Sequence, residues 1–589
     1  MDYVPVQQAL HPAYRPLNQH TKEIRLLAIS PSANEADLVR CDVLDICLNS
    51  SDSHEYETIS YAWGASKDRR TLILNDVPLS VPIESERALR RMRFADKHRT
   101  LWIDSICINQ ANNDERGQQV AIMRDIYRYS GGNLIYLGDE DSLVESAVEN
   151  MNLTYEEMRL QTNDFTAMWH ILYYSRKPVQ HTKESPGAQL NPEAFMDLTG
   201  RPWFSRLWIF QEATDAPSNR CYAGRHEFDL LLVLRVAAWL GYQWRWYPTN
   251  LTWGHCLRRA LSLFDHADHQ HGLYSATKLR RTFYDLLVTS SYRQTSDPRD
   301  RLFGMLGLVD QLPNNCKDAS HLVTPDYWKD ITEVQRNATR YAILEENTLN
   351  ILALVKHSEA SLAEDVSSWA VKLEGSKDDE VGPPLWKQVH APNGRLVDPK
   401  LVLPDAGLDD PEILSLLGIV SDVAIEIGEV FASEVLNSAE TFRRALLTTE
   451  QLTSRRTTLS AEDMFRVLVA GIGAPGESLT YPEAQQMAAS WESCKESRSP
   501  VSEELRSHIA MFAVDRCVFA TANGALGLGP AMTAAGDLVT VLDGGALLYV
   551  LRPEKSSYRF VGVCYVPDIM HGTTVHDGED GQKQIFDLR

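Results

Sequence analysis

Two carboxylates stand out for the company they keep. Glu212 lies in RPWFSRLWIFQEATDA (201–216), a run rich in aromatic residues, and follows Trp208 by four positions. On a helix that interval puts both on one face. A carboxylate set against aromatic rings is partly desolvated, which raises its pKa. Such a group can orient a ribose hydroxyl or stabilise a developing sugar cation; it could equally close an ordinary salt bridge with an arginine such as Arg206. Asp104 interrupts the apolar run TLWIDSICI (100–108). A carboxylate ending a buried strand lies where open parallel sheets place ligand groups. It could equally cap the helix beginning near Asp114 or pair with Arg116.

Other reactive residue types read as structural. Cys107, in IDSICINQ, has no local histidine to activate it and is expected to be an inert buried thiol. Gly524, Gly527 and Gly529 match no GxxxxGK[ST] loop and open no βαβ unit, so β-turns are expected. The group His266, Asp268, His269 and His271 is expected at a solvated helix end or loop rather than around a metal. Arg87, Arg90, Arg91 and Arg93 are expected to form a solvated helix face rather than a phosphate contact. No HExxH or GxSxG occurs, and none of the nine cysteines makes a CxxC pair. No metal and no required cofactor are expected.

The elements that must position Glu212 and Asp104 alternate in type. Strands are predicted at 24–29, from 38 through VRCDVLDICL, at 56–61 and at 71–76, and 100–108 is predicted as a buried strand with the loop after it. A helix is predicted behind Pro82, where Ala88, Leu89 and Met92 recur. Another is predicted over ERGQQVAIMRDIYRYS, stopped by Gly131 and Gly132, and NLIYLG (133–138) follows as a strand. RPWFSRLWIFQEATDA reads as one helix, and CYAGRHEFDLLLVLRVAAWL as a turn and a further helix. This alternation predicts an α/β layer with a mostly parallel, helix-flanked sheet.

At 589 residues the chain is too long for one core. The expected division is 24–216, with an insertion at about 139–197; a helical region, 217–370; a linker and helical region, 371–510; and a small β-rich unit, 511–589. In that last unit DLVTVLDGG and ALLYVLRP are expected as adjacent antiparallel strands joined at Asp-Gly-Gly. The net charge of −22 disfavours nucleic acid and anionic membranes. With no basic-then-apolar leader and no long apolar run, the expectation is a soluble cytoplasmic protein without a membrane span.

The blocks YETISYAWG (56–64), VPIESERALRRMR (81–93), LWIDSICINQANNDERGQQVAIMRDIY (101–127), NLIYLG and RPWFSRLWIFQEA (201–213) resemble, in order, those of the fungal heterokaryon-incompatibility (HET) domain. DPRDRLFGMLGL, TPDY and the C-terminal β segments resemble regions that follow this domain in large fungal members. The resemblance implies nonself recognition that triggers programmed cell death. The family is remotely TIR-like, which implies a TIR-like or flavodoxin-like parallel sheet and NAD as a substrate. On that reading Glu212 is catalytic, and Ser60, Tyr61, Trp63, Gly64, Asp104 and Trp208 bind the nucleotide. Self-association and protein partners in incompatibility signalling are implied as well. The alternative is a non-enzymatic protein–protein interaction module, or a regulator with no role in cell death.

Overall fold

The computed structural model describes residues 11–48, 55–64, 68–161, 192–243, 282–290, 293–306, 321–364, 366–373, 410–454, 459–473, 478–497, 499–570 and 583–589. The histidines at 266–271 and most of the expected 371–410 linker lie outside these residues. The chain forms two compact units. The first comprises Met1–Gln311, Val323–Asp330 and Gly375–Glu380, and the second Leu312–Leu322, Ile331–Glu374 and Val381–Arg589. Among the described residues no helix is long and apolar enough to cross a membrane.

The first unit is built on β1 (Glu23–Ile29), β2 (Arg40–Cys47), β3 (Glu57–Tyr61), β4 (Arg69–Leu74), β5 (Val77–Pro82), β6 (Arg99–Ile103), β7 (Asn133–Gly138), β8 (Asn219–Ala223) and β9 (His226–Asp229). They form one nine-stranded sheet ordered β5-β4-β2-β1-β6-β3-β7-β8-β9. The α/β class is as expected, but the sheet is mixed rather than mostly parallel. β6, β3, β7 and β8 are mutually parallel neighbours. β1 is antiparallel to both β2 and β6, and β4–β5 and β8–β9 are hairpins. Loop length explains the difference. A parallel crossover takes a dozen or more residues, and Ser30–Val39 is too short for one. Asn75 and Asp76, at φ 47° and 60°, make the two-residue turn of the β4–β5 hairpin.

The parallel strands position the site. From β3 the chain crosses to β6 on one side, then returns to β7 on the other. The winding therefore reverses between β3 and β7, and such a switch point opens a crevice at the carboxyl ends of the strands. Trp102 of β6 is fully buried and meets Tyr127 edge-on at 5.6 Å. The Ile83–Met92 helix, with Pro82 at its N-cap, buries Ala88, Leu89 and Met92.

Four local expectations change. The CYAGRHEFD stretch, expected as a turn beyond a first domain ending at 216, is the β8–β9 hairpin, because β7 offers β8 a parallel edge. The helix expected over 115–130 is two, Asn113–Ala121 and Met123–Arg128, broken at Ile122 (φ −109°, ψ 7°). RPWFSRLWIFQEATDA is a 3-10 turn, Pro202–Ser205, an extended Arg206 and a short helix, Ile209–Thr214. The backbone there is captured by a distant segment. Gln294 N–H donates to Ser205 O at 2.7 Å, and Leu207 N–H to Gln294 O at 3.0 Å, so Arg206 sits in a β-bridge. The arginine row is not a merely solvated face. Arg90 and Arg93 donate to Asp37 O, Arg91 to Gly224 O, and Arg87 pairs with Glu84.

The second unit holds β10 (Leu414–Val430), β11 (Arg516–Thr521), β12 (Leu526–Pro530), β13 (Leu538–Leu542), β14 (Leu548–Pro553), β15 (Tyr558–Cys564) and β16 (Gln584–Leu588). β10 falls where helix was expected. It is rich in β-branched residues, and it pairs with β16, β13 and β11 in turn. Gly418 permits the approach, because a Cβ there would lie 2.4 Å from Val541 O. Pairing of β10 with β16 closes the sheet into a barrel-like ring. β13 and β14 are antiparallel neighbours, as the Asp-Gly-Gly turn implied. Gly524 lies in a turn, whereas Gly527 and Gly529 lie within β12.

Candidate functional site

Alternation along β3 sends Thr58 and Ser60 to one face, and Ile59 and Tyr61 to the other. The Ser60 hydroxyl is buried. It accepts from Trp203 Nε1 at 2.6 Å and donates to the Glu212 carboxylate. Glu212 rides on the Ile209–Thr214 helix, and its amide donates to Trp208 O at 3.1 Å. Asn133 Nδ2, at the start of β7, donates to Glu212 O at 3.0 Å and fixes the helix against the sheet.

The extended backbone at Arg206 turns its guanidinium back on that carboxylate. Arg206 Nη1 donates to Glu212 Oε2 at 3.1 Å, and Nη2 lies 4.0 Å from Asp104 Oδ2. Asp104, directly after β6, accepts from Trp63 Nε1 at 2.9 Å and from the Ser105 amide at 2.7 Å. Trp63, 38% exposed, is the outermost member, while Glu212 is 1% exposed. A line of contacts thus runs Trp63–Asp104–Arg206–Glu212–Ser60–Trp203.

One guanidinium serves two carboxylates, so the cluster carries an excess negative charge when all three groups are ionised. Burial pushes Glu212 up from the usual carboxylate range, against the pull of Arg206 and with the repulsion of Asp104. Burial also raises Asp104, again opposed by Arg206. Burial works against the Arg206 charge, but the two carboxylates outweigh it and keep its pKa raised. Such a cluster suits a cationic group or a proton better than an anion.

Ser60, Trp63, Asp104 and Glu212 therefore come together. Tyr61 alternates to the other face of β3, yet its hydroxyl meets Ser85 at 2.8 Å and also reaches the Asp104 carboxylate, so it borders the cluster from that side; burial and the Asp104 charge hold that hydroxyl protonated. Gly64 turns the chain after Trp63 at φ +69°. The indole N–H of Trp208 goes to Asp300 at 3.2 Å rather than to the Glu212 carboxylate. Asp104 neither caps the helix near Asp114, where Asn112 does so, nor pairs with Arg116, whose guanidinium lies over Tyr327. Cys107 is buried, and burial pushes its thiol up to about 12, which leaves it inert. Trp203 went unmarked in the sequence because it contacts the cluster across the break at Arg206, outside any helical spacing. Among the described residues no group of three or more His, Cys, Asp or Glu side chains could hold a metal ion.

Residues 56–212 match the family model "Heterokaryon incompatibility protein (HET)", and residues 484–585 match the "Het-6 beta-barrel domain". The chain is similar to the Neurospora crassa protein "Heterokaryon incompatibility protein 6, OR allele". The two are 24% identical over 672 aligned positions, which cover 96% of each chain. No solved structure matches.

Proposed function

The chain belongs to the heterokaryon incompatibility (HET) family, and on that premise we propose that it is a nonself-recognition protein whose HET domain triggers programmed cell death by cleaving NAD. The observation that carries the chemistry is the single Arg206 guanidinium shared by the buried Glu212 carboxylate and the partly buried Asp104 carboxylate beside the carboxyl ends of parallel strands. In this reading the bond between ribose C1′ and the nicotinamide nitrogen breaks, and nicotinamide leaves neutral with the bonding pair. Glu212 stabilises the oxocarbenium-like ribosyl cation that remains. Water adds to C1′ and gives its proton to a carboxylate, whose raised affinity suits that role. Trp63, at the mouth, offers a ring face for stacking. Because Glu212 is buried, the Arg206 contact must open for substrate to enter, and self-association is the event proposed to open it.

A second reading rests on the same burial. A carboxylate 1% exposed and paired with arginine is also what a structural ion pair looks like, and a non-enzymatic interaction module would need no more. Purified protein incubated with NAD, with nicotinamide measured beside a Glu212→Gln control, separates the two. Release that is lost in the folded variant supports the enzyme. Full cell killing by a folded Glu212→Gln protein sinks it and leaves the binding module.

A further inference from the structure

The helix that carries Glu212 is poorly equipped to hold itself. It has six residues, and no side chain caps its N-terminus. Asn133 and Asn219 hold its carbonyls on the sheet side, and the 293–306 segment holds its N-terminal turn. Gln294 pins the backbone on both sides of Arg206. Gln211 Nε2 donates to Gly304 O at 2.9 Å. Trp208, in the N-cap position, donates its indole N–H to Asp300 Oδ2 at 3.2 Å. The other oxygen of Asp300 accepts from Tyr327 Oη at 2.7 Å. Tyr327 is itself fixed, with the Arg116 guanidinium 3.7 Å from its ring centroid.

We propose that Asp300 is a positioning residue for Glu212, acting through the Trp208 indole and held in place by Tyr327. This rests on the catalytic reading of Glu212. Trp208 O is also the acceptor for the Glu212 amide, so the residue whose side chain Asp300 grips is the one from which the Glu212 turn hangs. A carboxylate can accept both the indole and the phenol hydrogen, one at each oxygen, whereas an amide has only one acceptor oxygen. Burial, with the nearby Asp297 charge adding to it, pushes Asp300 up to about 6, against the Tyr327 and Trp208 hydrogen bonds and the Arg116 charge. Asp297 is paired with Arg299 at 2.8 Å. Protonation below that value takes up one oxygen, so the grip on Trp208 weakens on the acid side.

Asp300→Asn and Tyr327→Phe test this in the full-length chain. Amide hydrogen exchange over 209–214 is compared with that over 99–103, and nicotinamide release is measured as kcat and KM across pH. Both variants are expected to speed exchange at 209–214 alone and to lower kcat about tenfold or more with KM little changed. The acid limb near 6 should disappear in Asp300→Asn. Unchanged exchange at 209–214 overturns the proposal, and so does faster exchange with unchanged kcat and pH profile in a folded variant. Should the wild-type protein release no nicotinamide, the enzymatic reading falls, and exchange at 209–214 alone decides whether Asp300 positions Glu212.

Discussion

Glu212 and Asp104 are costly residues to bury, and Arg206 is the group that answers both. Removing one partner of a buried pair leaves an uncompensated charge, which costs about 3–5 kcal/mol. Arg206→Met should therefore melt well below the wild-type protein at pH 8. The pH dependence has a definite sign. Both carboxylates are already raised in the folded state, and losing Arg206 raises them further. A raised carboxyl contributes stability below its unfolded value and loses it as pH rises through the folded one. The deficit of Arg206→Met should accordingly shrink from pH 8 to pH 5, read as the difference in Tm from wild type at each pH. An equal deficit at both would show that Arg206 acts by packing rather than charge. Glu212→Gln keeps the shape and leaves Arg206 facing Asp104, so its Tm should fall less than that of Arg206→Met while nicotinamide release falls about 100-fold or more.

At the scale of elements, Gly64 shows what holds the mouth of the site. Its φ of +69° is left-handed, and a Cβ would lie 3.0 Å from Glu84 Cγ. Gly64→Ala should cost about 1–2 kcal/mol and displace Trp63 from Asp104, seen as a shift in Tm and in tryptophan emission. How legible such features were depended on how local their causes are. Asp104 could be read because an apolar strand led into it, and the β13–β14 pair because its turn lies in five adjacent residues, 543–547. The break at Arg206 could not. Its aromatic spacing is helical, and the backbone is bent by Gln294, whose place beside it is set only by the fold. β10 was missed for a related reason: a 17-residue run with partners on both sides shows no clean alternation, because its burial changes as β16, β13 and β11 take over in turn. Trp208 was placed correctly on the turn below Glu212, but its ring was claimed by Asp300, far along the chain.

For the molecule as a whole, the first unit is discontinuous in sequence. The HET match ends at residue 212, the residue on which the chemistry is proposed to turn. Some supports of its helix, however, lie beyond the match, at 294, 300 and 304, and Val323–Asp330 returns to the same unit after a stretch assigned to the second. That returning segment packs closely on the Asn113–Ala121 helix. Gly117 leaves room for it, since a Cβ there would lie 3.2 Å from Pro325 O, and Trp328 Nε1 donates to Asp114 at 2.9 Å. A fragment ending at 311 keeps Asp300 but loses Tyr327, the stacking on Arg116 and the Trp328 bond. One ending at 330 keeps all three. Hydrogen bonds to charged groups contribute about 1.5–3 kcal/mol each, and about 2–4 °C in Tm accompanies each kcal/mol in a domain of 150–250 residues. The 1–330 fragment should therefore melt at least about 4 °C above 1–311, and Tyr327→Phe within it should give back part of that margin. Equal melting temperatures would mean that the returning segment is carried by the first unit without bracing it, and Asp300 would then hold Trp208 without help.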